Sequence, residues 1–175
     1  MSYAFTDRIL ATMRDVEDFP EPGVTFKDIT PVLADGDLLV AAVQAHADGW
    51  RGGVDVVAGL EARGFIFGAA LAVELGVGFL PVRKAGKLPG PTVGVDYALE
   101  YGQARIEVHA EDLPDGARVL VVDDVLATGG TAAAGCRLIE LCGARVAGVE
   151  VLVELEALGG RTLLAGHSVR SLVTV

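Results

Sequence analysis

Val119-Leu120-Val121-Val122-Asp123-Asp124-Val125-Leu126-Ala127-Thr128-Gly129-Gly130-Thr131 is the stretch on which the fold reading turns. Four apolar residues in a row read as a strand buried on both faces. Two adjacent carboxylates close that strand. A Thr-Gly-Gly-Thr loop then leads into a helix predicted over 131–142. In an open α/β sheet ligands gather at the carboxyl ends of the strands, so the loop lies where a binding site belongs.

The same alternation continues on either side. Residues 54–59, 78–82 and 147–153 read as further short apolar strands, and 63–75 as a helix. Strand and helix in turn, with apolar runs in place of strict alternation, predict an α/β fold. Its centre is a mostly parallel twisted sheet with helices on both faces, joined by right-handed crossovers. Ile9, Leu10, Met13 and Val16 follow helical spacing. Asp35-Gly36-Asp37 supplies cap chemistry for a helix through Ala47. Between them, 18–34 is too apolar for a free loop and too rich in proline for a regular element, so it must pack somewhere. Residues 93–99 and 105–109 read as a β-hairpin-like insertion behind a flexible Gly-, Pro- and Lys-rich leader. The expected organisation is one domain over 1–175, with 18–34 and the loop 83–103 as sub-elements.

The chain has 175 residues, 51% of them hydrophobic and 22% charged. That suits one folded domain with a real core and excludes a disordered chain. A net charge of −10 repels nucleic-acid polymers and anionic membranes, so any anion site must be a local basic cluster. Cys136 and Cys142 have no metal spacing and read as free thiols, in keeping with a reducing cytoplasm. Residues 1–8 show no signal-peptide pattern. The apolar stretch 64–82 contains Glu74 and a Leu75-Gly76-Val77-Gly78 break, so it reads as a helix and a strand and not as a membrane span. His46, His109 and His167 show no ligand spacing and read as surface or packing residues, and Trp50 as a helix-end residue.

The residue types in the 119–131 loop each have a physical use. Glycines allow backbone N–H groups to approach a phosphate, the helix N-terminus adds a favourable dipole, and Thr128 and Thr131 add hydroxyls. No Gly-Lys-Ser/Thr follows, and G-x-G-x-x-G is absent, so neither a Walker loop nor a dinucleotide fingerprint fits. Two carboxylates beside an anion loop suit a ligand with diol hydroxyls, a bound Mg²⁺ or a developing positive charge. A sugar phosphate answers all three. Gly59 to Gly64 forms a second strand-end site, in which Arg63 offers a charged fork; a surface arginine at a helix start would look the same. Arg83, Lys84 and Lys87 put cations on a loop that Gly86, Pro89, Gly90 and Pro91 keep irregular, as a lid over an anion requires, or as any solvated loop would show.

These residues resemble the phosphoribosyl-pyrophosphate signature of the type I phosphoribosyltransferases. Three more segments narrow the resemblance to the adenine phosphoribosyltransferases. They are Phe19-Pro20-Glu21-Pro22-Gly23-Val24-Thr25-Phe26-Lys27-Asp28-Ile29-Thr30-Pro31, Gly59-Leu60-Glu61-Ala62-Arg63-Gly64-Phe65-Ile66-Phe67-Gly68, and Arg83-Lys84-Ala85-Gly86-Lys87-Leu88-Pro89-Gly90-Pro91 with Leu99-Glu100-Tyr101-Gly102. The resemblance covers the chain from about Phe19 to Val153.

What the resemblance implies is specific. Adenine and 5-phosphoribosyl 1-pyrophosphate give AMP and pyrophosphate, with Mg²⁺ held mainly by the substrate and Asp123 and Asp124 nearby. Asp123 and Asp124 bind the ribose hydroxyls and stabilise positive charge; Arg63 and Glu100 complete the catalytic set. Ala127, Thr128, Gly129, Gly130 and Thr131 hold the 5′-phosphate. Glu61, Ala62, Arg63, Arg83, Lys84, Lys87 and Tyr101 hold pyrophosphate, with a cis peptide near Glu61-Ala62. The family commonly has Ser at position 62. Segment 18–34 becomes a hood over the base, where Phe26 stacks opposite Val125 or Leu126. The Thr25 carbonyl and the Lys27 N–H read the adenine edge. A homodimer is implied. Two other readings stay open: a 6-oxopurine or xanthine phosphoribosyltransferase, which the hood would discriminate, and a non-catalytic regulator that binds the sugar pyrophosphate. The acidic chain shows no basic face for the latter.

Overall fold

The computed structural model describes residues 3–98 and 102–175. In chain order its elements are α1 (Tyr3–Thr12), β1 (Arg14–Val16), β2 (Phe26–Asp28), α2 (Thr30–Ala34), α3 (Gly36–Ala47), β3 (Val56–Leu60), α4 (Gly64–Leu75), β4 (Gly78–Lys84), β5 (Val93–Ala98), β6 (Gln103–Val108), β7 (Arg118–Leu126), α5 (Gly130–Leu141), β8 (Arg145–Glu154) and β9 (Val169–Thr174). Among the described residues seven strands form one sheet in the order β5-β6-β4-β3-β7-β8-β9. The pairs from β4 to β9 through β3, β7 and β8 are parallel, and β6 joins β4 antiparallel. The expected mostly parallel sheet is therefore present, with the hairpin β5–β6 on one edge.

β7 shows why this sheet forms. Val119 and Val121 pack into one layer, with Leu138 and Ile139 of α5, while Leu120 and Val122 pack into the other, with Phe67 and Leu71 of α4. All four strand residues are wholly buried. Burial of each such side chain is worth about 1.5–3 kcal/mol, and a strand apolar on both faces can be covered only by two helical layers. The candidate membrane stretch resolves into α4 and β4. Among the described residues no helix is long and apolar enough to cross a membrane.

Several boundaries differ from the sequence reading. The first helix ends at Thr12, and Val16 pairs with Phe26 in an antiparallel β1–β2 ribbon. Arg14 holds Asp28 at 2.7 Å and Lys27 holds Asp15 at 2.8 Å, cross-strand pairs that helical spacing alone does not reveal. Part of 18–34 is regular after all, because Pro31 sits in the first turn of α2, where a missing N–H costs nothing. Asp35 caps α3 as expected, accepting from the Leu38 N–H at 3.0 Å. β7 runs on through Asp123 and Asp124 to Leu126, so the acids lie within the strand and not after it.

The largest omission is β9, which pairs with β8 at the sheet edge. It anchors a buried carboxylate that the sequence reading did not find. Glu150 is wholly buried; it accepts from Trp50 Nε1 at 2.7 Å and lies 2.9 Å from His46 Nδ1, with Arg170 Nε at 3.4 Å. His46 and Trp50 are thus part of a polar network joining α3, β8 and β9, which a buried carboxylate requires.

Candidate functional site

Two strand ends meet at the site. β3 ends at Leu60, and the Glu61-Ala62 peptide that follows is cis. Arg63 then caps α4. Next to it, β7 delivers Asp123 and Asp124. The approach is close: a Cβ placed on Gly64 would lie 2.8 Å from the Val122 carbonyl oxygen and 2.9 Å from Asp123 Oδ1. Only glycine lets the start of α4 sit against the acidic pair.

Arg63 Nε stands 2.7 Å from Asp124 Oδ2, and its guanidinium carbon lies 5.0 Å from the centre of the Phe26 ring. Asp124 is 5% exposed, and its Oδ2 makes the ion contact but no aligned hydrogen bond. A buried carboxylate oxygen left in that state is ready for a hydroxyl or a cation. The Asp124 N–H donates to Asp123 Oδ1 at 2.9 Å. Burial, and then the charge of Asp124, raises the Asp123 carboxyl well above the usual carboxylate range.

Asp123, Val125, Ala127, Thr128, Gly129, Gly130 and Thr131 line one concave pocket. The loop enters α5 through Gly129 in a left-handed conformation, φ 85°. Leu126 is 2% exposed, with its side chain in the core. Val125 is half-buried and packs against the core, and both it and Leu126 line the pocket. The end of β5 lies beside this pocket: a Cβ on Gly130 would be 3.3 Å from the Ala98 carbonyl oxygen. Glu100 and Tyr101 fall outside the described residues.

On the other side, Glu61 gathers the basic loop. Its Oε2 accepts from the Lys84 N–H at 2.8 Å and from Arg83 Nε at 3.2 Å. Those bonds, the Lys84 N–H above all, hold the Glu61 carboxyl below its ordinary range. Arg83 also donates to the Lys87 carbonyl at 3.2 Å. A second carboxylate, Glu107, went unnoticed in the sequence. It takes the N–H groups of Gly86 at 2.9 Å and of Lys87 and Leu88 at 3.3 Å, and the Thr92 hydroxyl at 3.1 Å. Burial pushes its carboxyl up, and these four donors more than offset that. An alternating strand pattern marks Glu107 only as a residue of β6; nothing local in the sequence points it at the loop.

Phe26 of β2 meets Phe19 edge-on, ring centres 5.2 Å apart. Phe26 and Lys27 are half-buried and Thr25 is exposed. The three sites read from the sequence thus converge: the 18–34 segment through Phe26, the 59–64 turn through Arg63, and the 119–131 loop through Asp124. Among the described residues no group of three or more His, Cys, Asp or Glu is placed to hold a metal ion.

Known proteins give the same answer. The family described as the phosphoribosyl transferase domain matches residues 37–163. The adenine phosphoribosyltransferase of Streptomyces coelicolor is 59% identical, over 97% of this chain and 96% of its own length. The crystal structure of the Thermoanaerobacter pseudethanolicus enzyme superposes with a TM-score of 0.94 at 45% identity, covering 97% of this chain and 99% of that one. The Saccharomyces cerevisiae enzyme, solved with adenine and an imino-altritol bisphosphate, superposes with a TM-score of 0.92 at 35% identity, covering 98% and 99%. The chain belongs to the adenine phosphoribosyltransferases, transferases of purine salvage that make AMP from adenine.

Proposed function

We propose that the family's reaction runs in this chain where β3, β7 and β2 converge, with roles that follow from the geometry. The single observation that carries the assignment is the position of Arg63, in contact with Asp124 on one side and Phe26 on the other. Those contacts support a reading of Asp124 as the ribose-binding acid, Arg63 as the anion-binding cation and Phe26 as the base-stacking ring.

The loop Ala127–Thr131 holds the 5′-phosphate with backbone N–H groups and the two threonine hydroxyls. Arg63, Arg83, Lys84 and Lys87, with the Glu61-Ala62 turn and Tyr101, hold pyrophosphate. Phe26 and Val125 enclose adenine, while the Thr25 carbonyl and Lys27 N–H read its amino group and N1. A 6-oxo base presents the opposite donor and acceptor pattern and leaves those groups unpaired. The N9–C1′ bond forms as the C1′–O bond to pyrophosphate breaks, and the electron pair departs with pyrophosphate. Adenine reacts as its N7–H tautomer, so the N9 lone pair attacks C1′ and the N7 proton goes to Glu100. Positive charge grows on the ribose, and Asp123 and Asp124 stabilise it.

The residues fit a magnesium ion that keeps most of its ligands from water and substrate, since Mg²⁺ typically takes only one or two carboxylates plus phosphate oxygens. Asp123 and Asp124 are the carboxylates at hand, and Asp124 Oδ2 lacks a hydrogen bond. When bound, the ion neutralises charge on the leaving pyrophosphate.

The assembly is a homodimer. Ile66, Ala69 and Val73 lie at helical spacing on the outer face of α4 and are exposed, Val73 at 83%. An apolar stripe of that kind suits a second copy of the same helix. Val73→Glu is expected to convert a dimer to a monomer in sedimentation. The two free thiols support a cytoplasmic setting.

The decisive assay offers adenine, hypoxanthine and guanine in competition, with 5-phosphoribosyl 1-pyrophosphate and Mg²⁺. Adenine is expected to be consumed alone. Equal use of hypoxanthine would transfer the chain to the 6-oxopurine enzymes.

A further inference from the structure

The phosphate loop has a floor that comes from the far end of the chain. A Cβ placed on Gly129 would lie 2.3 Å from the Gly160 carbonyl oxygen. A Cβ placed on Gly160 would lie 2.3 Å from the Ala127 carbonyl oxygen and 3.1 Å from the Gly129 nitrogen. The two backbones are therefore pressed together with no room for a side chain on either. Gly160 is buried and opens a 3-10 turn, Gly160–Leu164, whose last residue is 1% exposed in the core.

That turn is held by its second residue. Arg161 donates Nε to Glu154 Oε1 at 2.6 Å and Nη2 to Glu154 Oε2 at 2.7 Å, and its Nη1 reaches the Val169 carbonyl at 2.8 Å. Ser171 adds a hydroxyl to Glu154 Oε2 at 2.8 Å. Bidentate pairing of this kind fixes direction as well as distance. The strand ends are tied too, since the Leu155 N–H donates to the Leu126 carbonyl at 2.9 Å. The turn is thus anchored to β8 and β9, whereas the Thr128 side of the loop faces solvent.

We propose that Gly160, locked by the Arg161–Glu154 fork, is a positioning residue that sets where the N–H groups of Ala127–Thr131 point and so tunes the affinity for the 5′-phosphate. Gly160 touches no substrate; it acts through the loop. The inference rests on the reading of that loop as the phosphate cradle. A methyl group on Gly160 must displace one backbone, and the less anchored one is the loop. Preorganised donors lose their value when moved by about 1 Å, at a cost of up to about a hundredfold.

The test compares wild type, Gly160→Ala and Arg161→Lys by calorimetry with ribose 5-phosphate and by steady-state kinetics for both substrates. Gly160→Ala is expected to weaken ribose 5-phosphate binding and raise KM for the sugar pyrophosphate by about tenfold or more, with KM for adenine within about twofold of wild type. Arg161→Lys keeps the charge but loses the fork, so a smaller change of the same kind, about threefold or more, is expected. If Gly160→Ala does not fold, Arg161→Lys decides. Unchanged ribose 5-phosphate affinity in the folded variants, or equal rises in both KM values, overturns the proposal. A wild-type chain that takes up no ribose 5-phosphate overturns the cradle reading itself and is told apart by that result.

Discussion

Arg63 lies over Phe26, with its guanidinium carbon 5.0 Å from the ring centre. The ring on which adenine is expected to stack is thus partly covered by the arginine expected to hold pyrophosphate. A cation over an aromatic face is worth about 0.5–1 kcal/mol at an exposed site. A substrate anion that draws Arg63 away therefore uncovers the ring. Adenine is expected to bind more tightly in the presence of pyrophosphate or the sugar pyrophosphate than alone, as calorimetry can measure. Equal affinity in both conditions would separate Arg63 from the base site.

Phe26→Ala removes the stacking surface. Loss of an aromatic platform costs about 1–3 kcal/mol per base. KM for adenine is expected to rise by about tenfold while KM for the sugar pyrophosphate stays near wild type. Equal increases would mean that this ring does not touch the base.

The acidic pair predicts opposite effects on stability and activity. The Asp123 carboxyl is raised by burial and by Asp124. Its folded state therefore binds a proton more readily than its unfolded state. The stability linked to this proton is fully present below the unfolded value near 3.8 and is lost as pH rises through the folded value. Asp123→Asn lacks that loss, so its Tm advantage over wild type is expected to grow as pH rises. The double Asn variant at 123 and 124 is expected to fold and to lose most of kcat. Wild-type turnover in that variant would end the charge-stabilisation account.

Glu107 ties the base of the basic loop through three N–H groups and a hydroxyl. Glu107→Gln exchanges a charged acceptor for a neutral one and weakens all four bonds. Proteolysis within residues 85–92 is expected to quicken, and KM for the sugar pyrophosphate to rise severalfold with adenine little affected. A variant cut at the wild-type rate would show that the loop is held by something else.

The two thiols differ in reach. Cys136 is buried, and burial pushes its thiol up to about 12, while Cys142 is half-buried and less perturbed. A thiolate is the reacting species. At pH 8 an alkylating reagent is expected to modify Cys142 slowly and Cys136 only after unfolding, as the mass of the intact chain would show. Rapid labelling of both in the native state would contradict the packing of α5.

Much of this was legible because it is local. The strand-acid-loop-helix run from Val119 to Cys142 carries its own chemistry in contiguous residues, and the cap at Asp35 is a three-residue signal. The 59–64 turn was legible for the same reason. The β1–β2 ribbon was not, since Arg14 and Asp28 find each other across fourteen residues. A helical spacing that stops at Thr12 looks the same on paper as one that continues to Val16.

Neighbouring residues alone carried the alternation of buried strands and helices, the Thr-Gly-Gly-Thr loop after the acidic strand and the family resemblance, because periodicity, turn chemistry and short motifs are properties of neighbours along the chain. The folded chain alone reveals that Arg63 joins Asp124 to Phe26, that Glu150 binds Trp50 from a hundred residues away, and that Gly160 underlies Gly129. Those are packing decisions: they depend on which backbones can approach when helices and strands close over a shared core, and no single stretch of the chain records them.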